Sequence, residues 1–305
     1  MTRKQPVNVA ASARARLLKV SKERREDFTL TLMNYAAERF LYRLAQSKYR
    51  DRFVLKGAML FAVRVGAQYR PTRDLDLLGL GEASEAAVAT AVRDIATTKV
   101  DDDGVVFDVD GLEVHAIRED NAYGGIRAVM EARLAEARIH VQIDVGFGDA
   151  ITPAATDLQF PTLLADMPSP NVLAYPTETI VAEKVEAMVH LGLSNSRVKD
   201  FTDIAIAARR TTFDGSTLVA AIGATFRRRG TQLPESEIVA LGERFVQDTR
   251  AQANWKAYVK REGLRDFESL AQVIEELRAF LSRPIEHART GEKFGARWTP
   301  GGPWI

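Results

Sequence analysis

Apolar positions recur at helical spacing over most of the first fifty residues. Val9 to Leu18 predicts one helix. Arg25 to Gln46 predicts a second, with Leu30, Leu32, Met33, Tyr35, Ala36, Phe40, Leu41 and Leu44 as its apolar stripe. From residue 53 the period changes. A short apolar run at 53–56 predicts a strand, 58–66 a helix, and 73–78 a second strand. Residues 84–98 predict another helix with Ser84 as N-cap. Two alternating runs, Val105–Val109 and Leu112–Ile117, flank Asp110-Gly111, a dipeptide that predicts a hairpin. Ile126, Ala128, Met130, Ala132 and Leu134 alternate, which predicts a strand despite good helix propensity. In 138–145, Ile139, Val141, Ile143 and Val145 take one face, and Arg138, His140, Gln142 and Asp144 the other.

Five of the eleven prolines (Pro153, Pro161, Pro168, Pro170, Pro176) fall within 150–176, a density that disfavours regular helix and central strand and predicts an extended connection with the domain boundary in it. Helical patterns then dominate. One starts at Thr177, one includes Asp200 and Asp203, and others cover 216–228, 234–250, 252–261 and 266–282. The pattern is that of an α+β chain. It divides into an N-terminal helical segment (1–50), a core with a mixed sheet and helices (51–150), the proline-rich connection (151–176), a mainly helical C-terminal domain (177–288) and an irregular tail (289–305) onto whose host Trp298 and Trp304 could dock.

The core carries the chemistry. If 73–78 is a strand, Asp74 and Asp76 share one face while Leu75 and Leu77 point to the other. Like charges at neighbouring same-face positions repel, and a divalent cation removes the conflict. Carboxylate sites of this kind suit Mg²⁺, which binds one or two carboxylates together with substrate phosphates. Gly57 lies where a strand gives way to a helix, so its backbone N–H can approach an anion. Asp144 is a third carboxylate near a strand end; alone it would be a turn acid, and beside Asp74 and Asp76 it joins the candidate site. Asp101, Asp102 and Asp103 read as a solvated turn, and Asp149 as a loop acid. Tyr35, Phe40 and Tyr42 read as helix-packing residues. Asp200 and Asp203 are surface neighbours on their helix and are ordinary dipole partners by composition. Lys184 lies at the edge of an apolar helical face, where a lysine either snorkels or meets phosphates.

Composition narrows the classes. Apolar content of 46% and charged content of 27% are those of a globular chain, and a net charge of +1 gives no global field for nucleic acid. The distribution is uneven: residues 1–52 carry 13 Lys/Arg against 5 Asp/Glu, and 81–120 carry 3 against 11. A basic end of this kind is either a phosphate-backbone surface or a solvated helix face. The absence of cysteine excludes thiol catalysis, disulfides and Cys-ligated zinc. No apolar run approaches the ~20 residues that span a bilayer, and the N-terminus lacks a signal-peptide core, so a cytoplasmic protein without membrane partners is expected.

The segments KGAMLF (56–61) and RPTRDLDLLG (70–79) resemble the DNA polymerase beta nucleotidyltransferase superfamily and, within it, the AbiEii/AbiGii toxins of type IV toxin–antitoxin systems. AERFLYRLAQSKYRDRFVLKGA (37–58), EKVEAMVHLG (183–192) and SRVKDFTDI (196–204) extend the likeness over roughly residues 36–210. Ala58 departs from the superfamily, which has Ser or Thr after the glycine. The resemblance implies a polymerase-beta-like core that transfers NMP from an NTP, with Mg²⁺ or Mn²⁺ on Asp74, Asp76 and Asp144. It implies Lys184 and Asp203 as further active-site residues, with Lys199 and Asp200 beside them. Lys56, Gly57, Ala58, Thr72 and Arg73 flank the nucleotide in this reading, and Thr72 is also a candidate for self-modification. The implied acceptor is the 3′ end of tRNA, or another RNA, and the implied partner a cognate antitoxin encoded nearby. Two other readings stay open: NTP-dependent modification of a protein hydroxyl, and a non-catalytic binding module.

Overall fold

The computed structural model of the chain describes residues 8–66, 71–117 and 124–305. These fall into two compact units. The first is bounded as Met1–Val63, Pro71–Gly148 and Thr156–Ala174, the second as Arg64–Arg70, Asp149–Ala155 and Tyr175–Ile305.

The first unit opens with α1 (Val9–Arg24) and α2 (Phe28–Gln46). The first helix runs six residues beyond its predicted end, where Lys19, Lys22, Glu23 and Arg24 are good helix formers; it stops at Arg25, whose φ of 53° is left-handed. The Asp27 side chain then caps α2 by accepting from the Leu30 N–H at 3.0 Å, so α2 starts later than its apolar pattern suggests. Tyr35 and Phe40 are buried core residues, and the Tyr35 hydroxyl donates to the Asp103 carbonyl.

Next come β1 (Phe53–Leu55), α3 (Gly57–Arg64), β2 (Asp74–Gly79), α4 (Glu85–Ala96), β3 (Val105–Phe107), β4 (Glu113–Ile117), β5 (Gly125–Leu134) and β6 (Ala137–Phe147). With β7 (Thr156–Gln159) and β8 (Asn171–Ala174) they build an eight-stranded mixed sheet in the order β3-β5-β6-β2-β1-β8-β7, with β4 also on β5. Helices α1, α2 and α4 pack on this sheet. The Asp110-Gly111 hairpin does not form. β3 and β4 both run antiparallel to β5, at Val105↔Leu134 and Glu113↔Val129, as two pieces of one interrupted edge strand. Asp108 closes the intervening loop by accepting from the Gly111 N–H, so the turn signal bulges a strand instead of reversing it. The proline-rich segment also yields strands. Pro161, Pro168 and Pro170 lie in the loop between β7 and β8, outside both ladders, where a missing N–H costs nothing.

Asp103 is not a solvated turn acid. Only 3% of it is exposed, and Arg43 donates to both its oxygens at 2.6 and 3.1 Å, while Asp101 and Asp102 remain exposed. A second buried pair joins Glu38 to Arg39 at 2.7 Å. Burial pushes the Glu38 carboxyl up to about 7, against the pull of Arg39 and of the Leu163 N–H. A carboxyl that ionises near 4.5 when unfolded and near 7 when folded favours the fold fully below the first value, and that contribution is lost as pH rises through the second. Melting temperature is therefore expected to fall between about pH 4.5 and 7, and Glu38→Gln to flatten that slope; identical slopes in thermal melts would refute this.

The second unit contains α5 (Thr177–Leu191), α6 (Val198–Arg210), β9 (Phe213–Asp214), α7 (Gly215–Arg229), α8 (Glu243–Gln247), α9 (Thr249–Glu262), α10 (Leu270–Thr290) and β10 (Arg297–Trp298). The single helix predicted over 234–250 breaks into a 3₁₀ turn at Val239–Leu241 and the short α8, because Gly242 and the Asp248 N-cap interrupt it. Pro284 sits inside α10, which continues to Thr290. The tail is irregular apart from β10, yet firmly docked. The indole N–H groups of Trp298 and Trp304 donate to the carbonyls of Ala208 and Phe280, and both rings pack on Phe280.

Candidate active site

Strands β2 and β6 are parallel, and their register sets Asp74 opposite Gln142 and Asp76 opposite Asp144. Antiparallel β5 sets Arg127 opposite Asp144 on its other side. Residues directly opposite on paired strands share a face, so Asp76, Asp144 and Arg127 form one rung across three strands. Asp74 and Gln142 form the next rung. The alternate positions Leu75, Leu77, Ile143 and Val145 are buried at 1% exposure or less. Period-two alternation thus makes the core with one set of side chains and leaves the acids half-buried on the other face.

Gly57 opens α3 directly beside this rung. Its φ of 71° is left-handed, and a Cβ there would lie 1.9 Å from Asp76 Oδ2. Both the backbone conformation and the space therefore require glycine. The preceding Lys56 N–H donates to the Asp76 carbonyl at 3.0 Å, which ties the helix start to β2. Lys56 and Ala58 are half-buried on either side of the glycine; Thr72 is half-buried and Arg73 exposed, immediately before β2.

Asp144 is held at both oxygens. Arg127 Nε donates to Oδ1 at 2.8 Å and Nη2 to Oδ2 at 2.7 Å, and Gln142 Nε2 adds a bond to Oδ2 at 3.1 Å. The bonds to Asp144 raise the Arg127 pKa, burial opposes them, and the charges of Asp144, Asp74 and Asp76 add to the rise. Period-two alternation assigns Arg127 only to a polar face; nothing local in the sequence marks it as the partner of an acid seventeen residues away. Among the described residues, no group of three or more His, Cys, Asp or Glu side chains is gathered closely enough to hold a metal ion. The donor chemistry nevertheless fits one. Asp74 and Asp76 offer all-oxygen ligands on a half-exposed face, the set that Mg²⁺ or Mn²⁺ takes alongside substrate phosphates.

Lys184, Lys199, Asp200 and Asp203 lie in the second unit. Lys184, on α5, reaches Asp200 Oδ1 and Asp203 Oδ2 of α6, each at 2.7 Å. Arg197 binds the other oxygen of Asp200 at 2.8 Å. Both acids are buried. Burial alone would lower the Lys184 pKa, and the attraction of the two carboxylates overcomes it and raises the pKa. Lys199 is exposed one position before Asp200. Asp149 is more than a loop acid: Arg229 comes within 3.5 Å of it and also pairs with Glu186 at 2.7 Å.

Among the described residues no helix is long and apolar enough to cross a membrane. No curated protein matches the chain. Eight chains of solved structures do. MenT4, a nucleotidyltransferase toxin from Mycobacterium tuberculosis H37Rv, is 20% identical, with 91% of this chain and 98% of that one covered and a TM-score of 0.49. JHP933 from Helicobacter pylori is 13% identical, with 85% and 91% covered and a TM-score of 0.45. The family described as the nucleotidyl transferase AbiEii toxin of type IV toxin–antitoxin systems matches residues 39–281, a span that contains Gly57, the Asp-x-Asp strand, Asp144 and the Lys184 cluster. The chain belongs to the AbiEii nucleotidyltransferase toxin family.

Proposed function

We propose that this toxin transfers NMP from an NTP to the 3′ hydroxyl of an RNA, the acceptor end of tRNA in particular, and so blocks translation. The observation that carries the reading is the rung of Asp76 and Asp144, with Asp74 beside it and Gly57 pressed against Asp76. In the reaction the acceptor oxygen bonds to the α-phosphorus, the bond from that phosphorus to the bridging oxygen breaks, and pyrophosphate leaves. Asp74 and Asp76 would hold Mg²⁺ or Mn²⁺, which supplies neutralisation of the attacking and leaving oxygens when bound. Asp144 would complete the metal site near the acceptor hydroxyl and help to take up its proton. The N–H groups at the start of α3, with Lys56 beside them, offer a phosphate partial positive charge where Gly57 lets it approach. Ala58 adds no hydroxyl there, so recognition at this point rests on the backbone.

The acceptor assignment is supported by charge. Arg14, Lys19, Lys22, Arg24 and Arg25 are exposed along α1 and its end, a basic row suited to a phosphate backbone. Membership of a type IV toxin–antitoxin family implies an antitoxin partner. The test is incubation with total tRNA, Mg²⁺ and each α-labelled NTP in turn, beside Asp74→Ala. Label on tRNA from the parent protein alone is expected, falling steeply with salt. Label on protein instead would replace the RNA acceptor with a protein hydroxyl and send attention to Thr72.

A further inference from the structure

Helix α9 turns one side to solvent, and that side carries cations and small residues only. Arg250, Lys256, Lys260 and Arg261 are exposed on it, Ala253 and Ala257 are exposed between them, and no exposed position of the helix holds an acid. Arg261 pairs with Glu262 at 2.7 Å, whereas among the described residues Arg250, Lys256 and Lys260 make no ion pair. The nearby Asp248 is engaged in the helix cap, accepting from the Ala251 N–H at 2.8 Å. A solvated helix face ordinarily mixes signs in pairs four residues apart. Lys256 and Lys260 are instead like charges at that spacing, which repel, so helix stability gives no reason for them. At 1.5 Å per residue, Arg250 and Lys256 stand about 9 Å apart along the axis, and Lys256 and Lys260 about 6 Å. The short alanines between them leave room for a chain of phosphates to lie close to the helix. The inner side of α9 is fixed: Trp255 and Tyr258 are buried, and the Tyr258 hydroxyl lies 3.1 Å from that of Thr202 on α6. Thr202 precedes Asp203, which holds Lys184 at 2.7 Å. Packed helices lie about 8–10 Å apart, so the cations stand one helix layer out from the strand of contacts around Lys184.

We propose that the outward side of α9 is a docking surface for the sugar–phosphate backbone of the acceptor RNA, with Arg250, Lys256 and Lys260 as its contacts. The proposal rests on the reading of RNA as the acceptor. The aromatic residues of α9 face inward, so the surface offers bases nothing to stack on and meets phosphates alone. Contacts of that kind position a nucleic acid without reading its sequence. The row therefore holds the body of the RNA against the second unit, whatever nucleotides it carries. An acidic protein segment would meet the same charges. It would find no exposed large apolar residue on α9, whereas protein interfaces draw most of their affinity from such anchors.

The test is fluorescence anisotropy of end-labelled total tRNA with the full-length protein, without NTP and over a salt series, a readout that does not depend on turnover. Arg250→Gln, Lys256→Gln and Lys260→Gln together are expected to weaken binding at least about tenfold near 0.1 M salt. They should also make the slope of log affinity against log salt shallower by about 2–3, close to one for each lost phosphate contact. Lys256→Arg with Lys260→Arg keeps the charge and should bind as the parent protein does. Arg289→Gln, Lys293→Gln and Arg297→Gln remove the same number of exposed charges from the end of α10 and the tail, and should leave the slope nearly unchanged. Glutamine matches lysine and arginine in helix propensity, and thermal melts establish that each variant is folded. If the α9 triple variant is not, the three single variants take its place, each expected to change the slope by about one. A folded α9 variant that binds like the parent, or a tail variant that loses as much, would overturn the proposal and leave the RNA reading standing. Failure of the parent to bind tRNA at any salt would overturn the RNA reading and the proposal with it. Polyglutamate bound in place of tRNA, with the same dependence on the three cations, would overturn the proposal by reassigning the surface to an acidic protein segment.

Discussion

Asp76→Asn is expected to lower nucleotide transfer about a thousandfold, the scale of losing a main electrostatic element at a phosphoryl-transfer centre. The same substitution is expected to leave the fold as stable as before or slightly more so. The two effects have one cause. Asp76 faces Asp144 across paired strands and shares its own strand's face with Asp74. Carboxylates on adjoining positions repel, and Arg127 is one of the groups that offset this. Removing one charge without changing shape relieves the repulsion, worth about 0.5–1 kcal/mol for like charges directly opposite in a sheet. Asparagine is nearly isosteric, so the close approach of Gly57 to Oδ2 survives. Incorporation of α-labelled NTP into tRNA and thermal melts on the same preparations measure both effects. A variant that keeps near-parental transfer would remove Asp76 from the chemistry. One that loses both activity and several degrees of melting temperature would make it a structural residue.

The shared face of Asp74 and Asp76 was legible in the sequence because a strand's period is fixed at two, so Asp-x-Asp places both acids on one side whatever the fold around them. Gly57 was legible as a strand-to-helix glycine, although only the structure shows that Asp76 fills the space a side chain would need. Arg127 was not, because register between strands is set by the whole sheet and leaves no local mark. The same limit governs Asp103, whose partner Arg43 lies sixty residues away, and the 105–117 segment, where a sound local hairpin signal lost to pairing with β5. Proline density over 150–176 did not reveal the two short strands there. Strands of four residues fit between prolines when each proline falls in a loop.

Lys184→Met should destabilise the second unit by about 3–5 kcal/mol, the usual cost of stripping a buried acid of its partner. Asp203 and Asp200 are 0% and 1% exposed, and each lies 2.7 Å from the Lys184 ammonium. Arg197 continues to serve Asp200, and Asp203 loses its 2.7 Å contact to the ammonium. The raised Lys184 pKa keeps the ammonium charged: its contribution is present at every pH below the ordinary lysine value of 10.5 and is lost only as pH rises past the folded value. Adding Asp203→Asn to Lys184→Met removes the buried charge that lost its lysine, and a coupling of about 2 kcal/mol between the two positions is expected from a double-mutant cycle of chemical denaturation. The double variant also separates scaffold from chemistry. The likeness of EKVEAMVHLG (183–192) and SRVKDFTDI (196–204) to the family implies a part in the reaction for Lys184 and Asp203. Stability should then return in the double variant while transfer to tRNA stays at least about a hundredfold down, the loss typical of a removed charge-stabilising group. Recovery of transfer together with stability would make the Lys184 cluster a structural clamp between α5 and α6, and would leave the acidic rung of the first unit as the whole of the identified catalytic machinery.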